Sequence, residues 1–443
     1  MKSLLIHKLL NNNIINYKYN NNMKVEMGSK IKTTLPALKY RNFRLFFSGQ
    51  AISLIGTWIQ NIAQPWLVLT LTDSPFLLSL VVTFQTLPQM IFSLFIGPLI
   101  DKVSKKKILI FTQSSFSLLA AILGILTLTK RVEYWHVLVV ATMFGFLNTL
   151  DMPARQSYMV ELVGKDDLMN AIALNSSIFN LARIIGPAIG GILIGFVGIG
   201  ICFLLNAVSY IAVIAQLLKI SAVSVKNDMQ INKLFKGLFK DVVEGLKYIF
   251  AKERIKVTVT LFGIISIFCM NFSVLIPVFS QNFLKLDSKG FGMLMTAMGV
   301  GALVGALFVA LSKNSKPKLT TIVIAAFGLS IGEALMFFAS NFYLAFLLLV
   351  FIGFFMILFT TSVNTTLQLE SEDNIRGRVM SVYSFVFVGV APIGSLYAGG
   401  LASKLGANMA FTISGIIWLI GTIIIGYIIL NKTRNLTLQV KNN

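Results

Sequence analysis

From residue 44 onward the apolar positions neither alternate nor follow a single helical stripe. They come in twelve runs, roughly 44 to 72, 76 to 100, 107 to 129, 135 to 160, 167 to 195, 200 to 219, 256 to 280, 289 to 312, 319 to 339, 342 to 367, 379 to 402 and 406 to 430. A hydrocarbon layer about 30 Å thick asks for about twenty apolar residues from a helix rising about 1.5 Å per residue. The pattern predicts an all-α membrane protein with twelve transmembrane helices. Composition sharpens this: 56% of the 443 residues are hydrophobic and 12% charged, against about 25% charged in ordinary soluble proteins. A soluble enzyme is excluded.

The formal charge of +21, from 38 Lys and Arg against 17 Asp and Glu, would suggest nucleic acid in a soluble chain. Here the cations sit in the short loops between apolar runs, so they read as a topology signal and no nucleic-acid partner is expected. With both termini inside, 32 of the 38 cations fall on the cytoplasmic side and 5 outside, Arg183 being the one cation buried deep in a span. The expectation is a multi-pass protein of the cytoplasmic (inner) membrane with both termini cytoplasmic. Cys202 and Cys269 lie inside apolar runs and behave as small hydrophobes, without a disulfide framework.

The expected organisation is a disordered cytoplasmic leader (1–40, holding the Asn11 to Asn13 and Asn20 to Asn22 clusters), an N-terminal six-helix half (41–220), a cytoplasmic linker (221–255), a C-terminal six-helix half (256–430) and a cytoplasmic tail (431–443). Met23 and Met27 are alternative starts. In the linker Ile231, Leu234, Phe235, Leu238, Phe239, Val242, Leu246, Ile249 and Phe250 recur at helical spacing with lysines between them. Such a helix lies at the lipid interface or packs under one bundle. A weak repeat relates the halves. Asp167 precedes Pro187 by twenty residues and Asp373 precedes Pro392 by nineteen, and paired glycines follow each proline, Gly190 and Gly191 or Gly399 and Gly400. Two halves in the same orientation are a parallel transporter repeat.

Three segments carry mechanism. The loop after the second run reads Gly97, Pro98, Leu99, Ile100, Asp101, Lys102, Val103, Ser104, Lys105, Lys106, Lys107. It resembles the major facilitator superfamily signature, with Ser104 at the usual glycine and lysines for arginines. Lysine lacks the bidentate fork of arginine, so a charge latch built on this loop is weaker. The fifth run holds Gly186, Pro187, Gly190 and Gly191, similar to the motif of exporters and antiporters of that superfamily. Proline removes a backbone donor and kinks the helix, and glycines allow tight contact with a facing helix. The opening Arg41, Asn42, Phe43, Arg44, Leu45, Phe46, then Gly49, Gln50 and Ile52 to Gln60, together with Pro153 to Gln156 and Arg376 to Met380, resembles the enterobactin-exporter-like branch, the transmembrane secretion effectors, whose relatives include macrolide efflux proteins. The resemblance covers about 36 to 430. It implies two parallel six-helix halves around a central cavity, alternating access, and export commonly driven by protons, with a monomer as the default state.

Along the first run Gln50, Ser53, Thr57, Gln60 and Gln64 fall at spacings of 3, 4, 3 and 4, one stripe of a helix. It lines an aqueous cavity or bonds to neighbouring helices; the resemblance, which places this helix beside the central pathway, favours the cavity. Gln85 and Gln89 form a similar pair, and Asn61, Asn148, Asn271 and Asn364 are further candidates. Arg183 and Glu333 are ionisable residues well inside spans, where a charge costs ~2.5–3.5 kcal/mol on insertion scales. Arg183 either contacts substrate, pairs with Asp151, or bonds backbone carbonyls; Glu333 is placed to reach the outer interface. The expected substrate cavity is Gln50, Thr57, Gln60, Gln64, Gln85, Gln89, Arg183 and Asn271. The conformational motifs are Gly97, Asp101, Lys102, Lys105, Lys106, Gly186, Pro187, Gly190 and Gly191. The first run has no carboxylate, so proton coupling falls to Asp151 or Glu333.

No phosphate-cradling G-x-x-x-x-G-K-[ST] loop, H-E-x-x-H helix or thiolate cluster is present, so no enzyme, metal or cofactor is expected. The functional expectation is a secondary active exporter of a bulky amphipathic small molecule, a drug, macrolide or siderophore, by proton antiport. The alternatives are an importer or uniporter and, in a different class, a non-transporting membrane receptor or scaffold.

Overall fold

The computed structural model describes residues 35–221, 243–312, 319–372 and 375–423. Its helices are α1 (Arg41–Thr72), α2 (Pro75–Lys102), α3 (Lys105–Leu128), α4 (Tyr134–Val163), α5 (Leu168–Val197), α6 (Ile199–Lys219), α7 (Glu253–Phe283), α8 (Ser288–Leu311), α9 (Leu319–Phe338), α10 (Phe342–Glu370), α11 (Arg376–Leu405) and α12 (Ala407–Ile423). Among the described residues there is no strand, as a lipid-immersed chain without a closed barrel requires. Ten helices, α2 to α11, are long and apolar enough to cross a bilayer. Two more stand where spans were expected. The 32-residue α1 carries the glutamine stripe that lowers its hydropathy, and α12 is apolar up to the edge of the described chain.

Local chemistry sets the boundaries. Ser74 caps α2 by accepting from the Leu77 amide (3.3 Å), with Pro75 at the first turn; Asp287 caps α8 through the Gly290 amide (2.9 Å) and Asn341 caps α10 through the Leu344 amide (3.0 Å). These side chains take up donors that a helix start leaves unpaired. Two spans are broken. In α7 the Asn271 Nδ2 donates to the Ile267 and Phe268 carbonyls at 2.7 and 3.2 Å, closing the end of one segment before Pro277 bends the next. In α11 the break is at Val390, two residues before Pro392.

Within the first half α1 packs on α5 and α6, α3 on α4 and α6, and α2 on α4; within the second α8 and α9 pack on α10. The main junctions between the halves are α5 against α8 and α2 against α11. They are equivalent under the sequence repeat, since α5 and α11 carry the matching proline-glycine segments. Asp373 of that repeat lies outside the described residues.

Hydrogen bonds between the halves cluster toward the end of the bundle bearing the 72–75, 197–199 and 283–288 turns. Thr83 Oγ1 pairs with Ser395 Oγ at 2.8 Å, Ser288 Oγ donates to the Gly191 carbonyl at 3.1 Å, Thr296 Oγ1 donates to the Ile184 carbonyl at 3.2 Å, and Asn282 Nδ2 donates to Asp73 Oδ1 at 3.3 Å. At the opposite end Lys105 pairs with Glu161, Arg155 with Asp151 and Glu244 with Arg378, each within one half. The α5 stretch before Arg183 is exposed there at Ser176, Ser177 and Phe179, so the halves form a wedge joined at one end and open along this stretch.

Of the linker helix, residues 231–242 lie outside the described set; 243–251 are helical and packed under the second half. Ile249 is buried, Gly245 lies against the Arg378 backbone, Glu244 pairs with Arg378, and Lys252 and Tyr248 meet Glu372. Val243, Leu246 and Phe250 form an exposed stripe on the same segment.

The 3-10 turn Pro36–Lys39 straps onto the start of α5. The Ala37 amide donates to Asn170 Oδ1 (3.1 Å), the Tyr40 hydroxyl donates to Asp167 Oδ2 (2.8 Å), and Lys39 pairs with Asp167 (2.6 Å). Hydrogen bonds from Lys39, then Tyr40, lower the Asp167 carboxyl, and hydrogen bonds with Asp167, then Tyr40, raise the Lys39 ammonium. By linkage the carboxylate's share of the tether is lost as pH falls through its depressed value, and the ammonium's as pH rises through its elevated one. Protection of the Ala37 amide against exchange, relative to its intrinsic rate at each pH, should be highest between those limits and low across the range in Asp167→Asn. High protection persisting in that variant contradicts the tether.

Candidate functional site

The α5–α8 crossing brings two backbones together through glycines. A methyl on Gly191 would meet the Ser288 carbonyl oxygen at 2.5 Å, and one on Gly292 would meet the Pro187 carbonyl oxygen at 2.5 Å. Gly186 and Gly190 serve a second contact, against Trp58 and against Ile59 and Ile62 of α1. The motif thus has two faces, one inside the first half and one across to the second. Pro187 has no amide to give to the Arg183 carbonyl, and that carbonyl lies over Gly299 of α8. At the other junction Gly399 lies against Ser79 and Pro75 of α2. Gly292 and Gly299, seven residues apart on α8, were not singled out by sequence; a small-residue periodicity at that spacing is the signal that marks them.

The α1 stripe is turned to α6 for most of its length. Gln60 Oε1 accepts from Asn206 Nδ2 at 2.6 Å, Thr57 Oγ1 lies 3.4 Å from the Tyr210 hydroxyl, and Gly56 lies against Asn206 and Ser209. Gln50, Ser53, Gln60 and Gln64 are all buried, and Gln64 Nε2 donates to Gln85 Oε1 of α2 at 3.1 Å. Thr57, Gln60 and Gln64 thus bond to neighbouring helices, whereas the buried Gln50 has its Nε2 without a hydrogen-bond partner among the described residues. Asn61, by contrast, is exposed halfway along α1, Gln89 is half-buried on α2, and Asn271 is buried at the α7 break beside Gly394.

Asp151 does not reach Arg183. It pairs with Arg155 one turn along α4 and accepts from Thr112 Oγ1 (2.7 Å) and Gln113 Nε2 (2.8 Å) of α3. The i,i+4 spacing of Asp151 and Arg155 is the signal that identifies this partner. Glu333 does not reach an interface: it is 0% exposed, and neither carboxyl oxygen has a hydrogen-bond partner. Cys269 of α7 and Tyr397 of α11 interact with it electrostatically. Arg183, half-buried, has Nε and Nη2 enclosed and without a partner.

In the first turn of α3, Lys105 pairs with Glu161 at the end of α4 (3.5 Å) and Lys106 donates to the Ile220 carbonyl beyond α6 (2.7 Å). The side chains of Asp101 and Lys102, and the surroundings of Gly97, lie outside the described set.

A helical bundle of two repeated halves, joined at one end through glycine crossings and open at the other, is the architecture of a secondary transporter of the major facilitator type. The chain belongs to the transmembrane secretion effector family, which matches residues 32–443. It is 27% identical over 406 residues to the staphyloferrin A transporter of Staphylococcus aureus (strain NCTC 8325 / PS 47), covering 90% of this chain and 99% of that one. It is 24% identical over 413 residues to macrolide efflux protein A of Streptococcus pyogenes, covering 90% and 100%. The fold superposes on the crystal structure of the nucleoside transporter NupG with a TM-score of 0.66 at 13% identity, covering 87% and 99%. The chain is a multi-pass membrane transporter and not an enzyme.

Gly191→Ala should weaken the closed end by about 1–3 kcal/mol, the usual cost of overpacking. Spin labels on the neighbouring ends of α5 and α8 should then show a second, longer distance. An unchanged distance distribution contradicts the role of this crossing in closure.

Proposed function

We propose that the chain exports a bulky amphipathic small molecule across the cytoplasmic membrane by alternating access, as a monomer exchanging substrate for protons. The observation that carries this reading is the wedge, closed at one end by the α5–α8 and α2–α11 crossings. The excess of Lys and Arg in loops at the other end assigns that open end, and both termini, to the cytoplasm. A site open to the cytoplasm loads an exporter, and the efflux role in the name of the macrolide relative supports the same direction.

The halves rock about the glycine crossings of Gly186, Pro187, Gly190 and Gly191, and the Gly97 to Lys106 loop, with Asp101 and Lys102, gates the cytoplasmic end by tying α3 to α4 and α6. Substrate is taken up against Gln50, Asn61, Gln89 and Arg183, while Thr57, Gln60, Gln64, Gln85 and Asn271 hold the surrounding helices in register.

For coupling, Glu333 is the stronger of the two carboxyls. Asp151 already has an arginine and two neutral donors, so protonating it breaks a network. Glu333 has the Cys269 thiol beside it but no counter-charge, so a proton arriving or leaving there breaks no ion pair. Inverted vesicles should accumulate a labelled macrolide or a catechol siderophore, and a proton uncoupler should abolish accumulation. Glu333→Gln should lower pH-driven accumulation at least tenfold while leaving substrate counterflow. Asp151→Asn should keep the pH dependence and lose stability, by up to about 3 kcal/mol, because Arg155 is left uncompensated. Full pH-driven transport in Glu333→Gln contradicts its role. Substrate moving only outward from such vesicles favours an importer, and no flux of any compound favours a receptor or scaffold.

A further inference from the structure

Arg183 occupies a defined position on α5. Three and seven residues on, Gly186 and Gly190 are packed against α1; one and eight residues on, Ile184 and Gly191 are packed against α8. At about 100° per residue, Arg183 projects between those two faces. Leu181, Ile185 and Ile192, the exposed apolar residues of the opposite side, lie about 160–200° away. The guanidinium is therefore directed into the wedge between the halves, away from lipid. Ser176 and Asn180 share this stripe at spacings of 4 and 3, Ser176 exposed and Asn180 half-buried. Among the described residues neither side chain has a hydrogen-bond partner.

The charge has no route out and no partner within. Leu168 and Val197 bound α5, so about 21 Å of helix separates Arg183 from either end, too far for its stem to snorkel. Asp151, Glu161 and Asp167 are held by Arg155, Lys105 and Lys39, and Glu333 is sealed in the second half beside Cys269 and Tyr397. Arg183 Nε and Nη2 thus remain enclosed donors without an acceptor. A guanidinium is always charged, and its planar fork matches an oxyanion bidentately.

We propose that the counter-charge of Arg183 is an oxyanion of the carboxylate class carried by the transported molecule, so that the chain selects anionic amphiphiles over cationic ones. The inference rests on the exporter reading for transport but not for binding. Ser176 and Asn180 supply neutral hydrogen bonds along the same stripe toward the open end, and a cationic ligand placed there meets an uncompensated like charge.

The test uses two fluorescent dyes, calcein, which is rich in carboxylates, and ethidium, which is cationic, with full-length protein. Equilibrium dialysis should show wild-type protein binding calcein in preference to ethidium, less tightly as salt is raised. Arg183→Gln should weaken calcein at least tenfold while leaving ethidium unchanged or stronger, and Arg183→Lys, which keeps the charge but not the fork, should fall between. Ethidium preferred by wild type, calcein affinity unchanged in Arg183→Gln, loss of both dyes together, or binding of neither dye overturns the proposal. If Arg183→Gln does not fold, the wild-type preference and Arg183→Lys decide. Uptake into inverted vesicles separates the two readings: calcein bound but not carried overturns export and keeps the anion site, whereas ethidium carried with calcein unbound keeps export and overturns the anion site.

Discussion

The arrangement depends on one contact, the passage of the α5 backbone over that of α8 at Gly191 and Gly292. In a bilayer the hydrophobic effect gives two apolar helices no reason to prefer each other to lipid, so association rests on close van der Waals packing and hydrogen bonds between helices. Here both act at one place, because the closeness that the glycines permit lets Ser288 Oγ reach the Gly191 carbonyl. Gly399 against Ser79, with Thr83 bonded to Ser395, repeats the device at the related junction. The two crossings at one end hold the halves together and leave the other end free to separate.

For that contact to work as a hinge each half must be stiff, and the polar residues of the first half supply the stiffness. Asp151 ties α3 to α4 through Thr112 and Gln113, Gln60 with Asn206 ties α1 to α6, and Gln64 with Gln85 ties α1 to α2. Each bond satisfies groups that would be costly alone in hydrocarbon. They also fix the register of helices whose apolar faces could otherwise slide.

Much of this was legible in the chain. The runs of about twenty residues placed the helices, because span length is set by the bilayer and not by partners. The proline-glycine segment of α5 marked a crossing because few other residues allow backbones so close. The role of the α1 stripe was less legible. Spacings of 3 and 4 show that Gln50 to Gln64 avoid lipid, but a neighbouring helix and a water-filled wedge are both non-lipid, and the choice depends on Asn206, Tyr210 and Gln85, distant in sequence. Glu333 illustrates the same limit: helix rise measures its depth, whereas its enclosure is decided by Cys269 and Tyr397 on two other helices. Arg183 was visible as a charge at mid-span, and its direction became readable only once Gly186 and Gly191 were known to face different helices.

Four charges within the spans divide into two kinds. Asp151 and Arg155 compensate each other one turn apart, and their bond is internal to the first half, so it need not change as the halves move. Arg183 and Glu333 lie in different halves, and neither has an ion-pair partner among the described residues. A ligand shifts a conformational equilibrium only through a difference in its affinity for the two states, and a fully paired charge offers little such difference. An unpaired one offers a large one, because the state in which its partner arrives is stabilised and the state in which it leaves is not. On the proposed reading the proton answers Glu333 and the substrate's oxyanion answers Arg183, so the two ionisable groups without an ion-pair partner are those through which cargo and coupling ion bias the position of the halves.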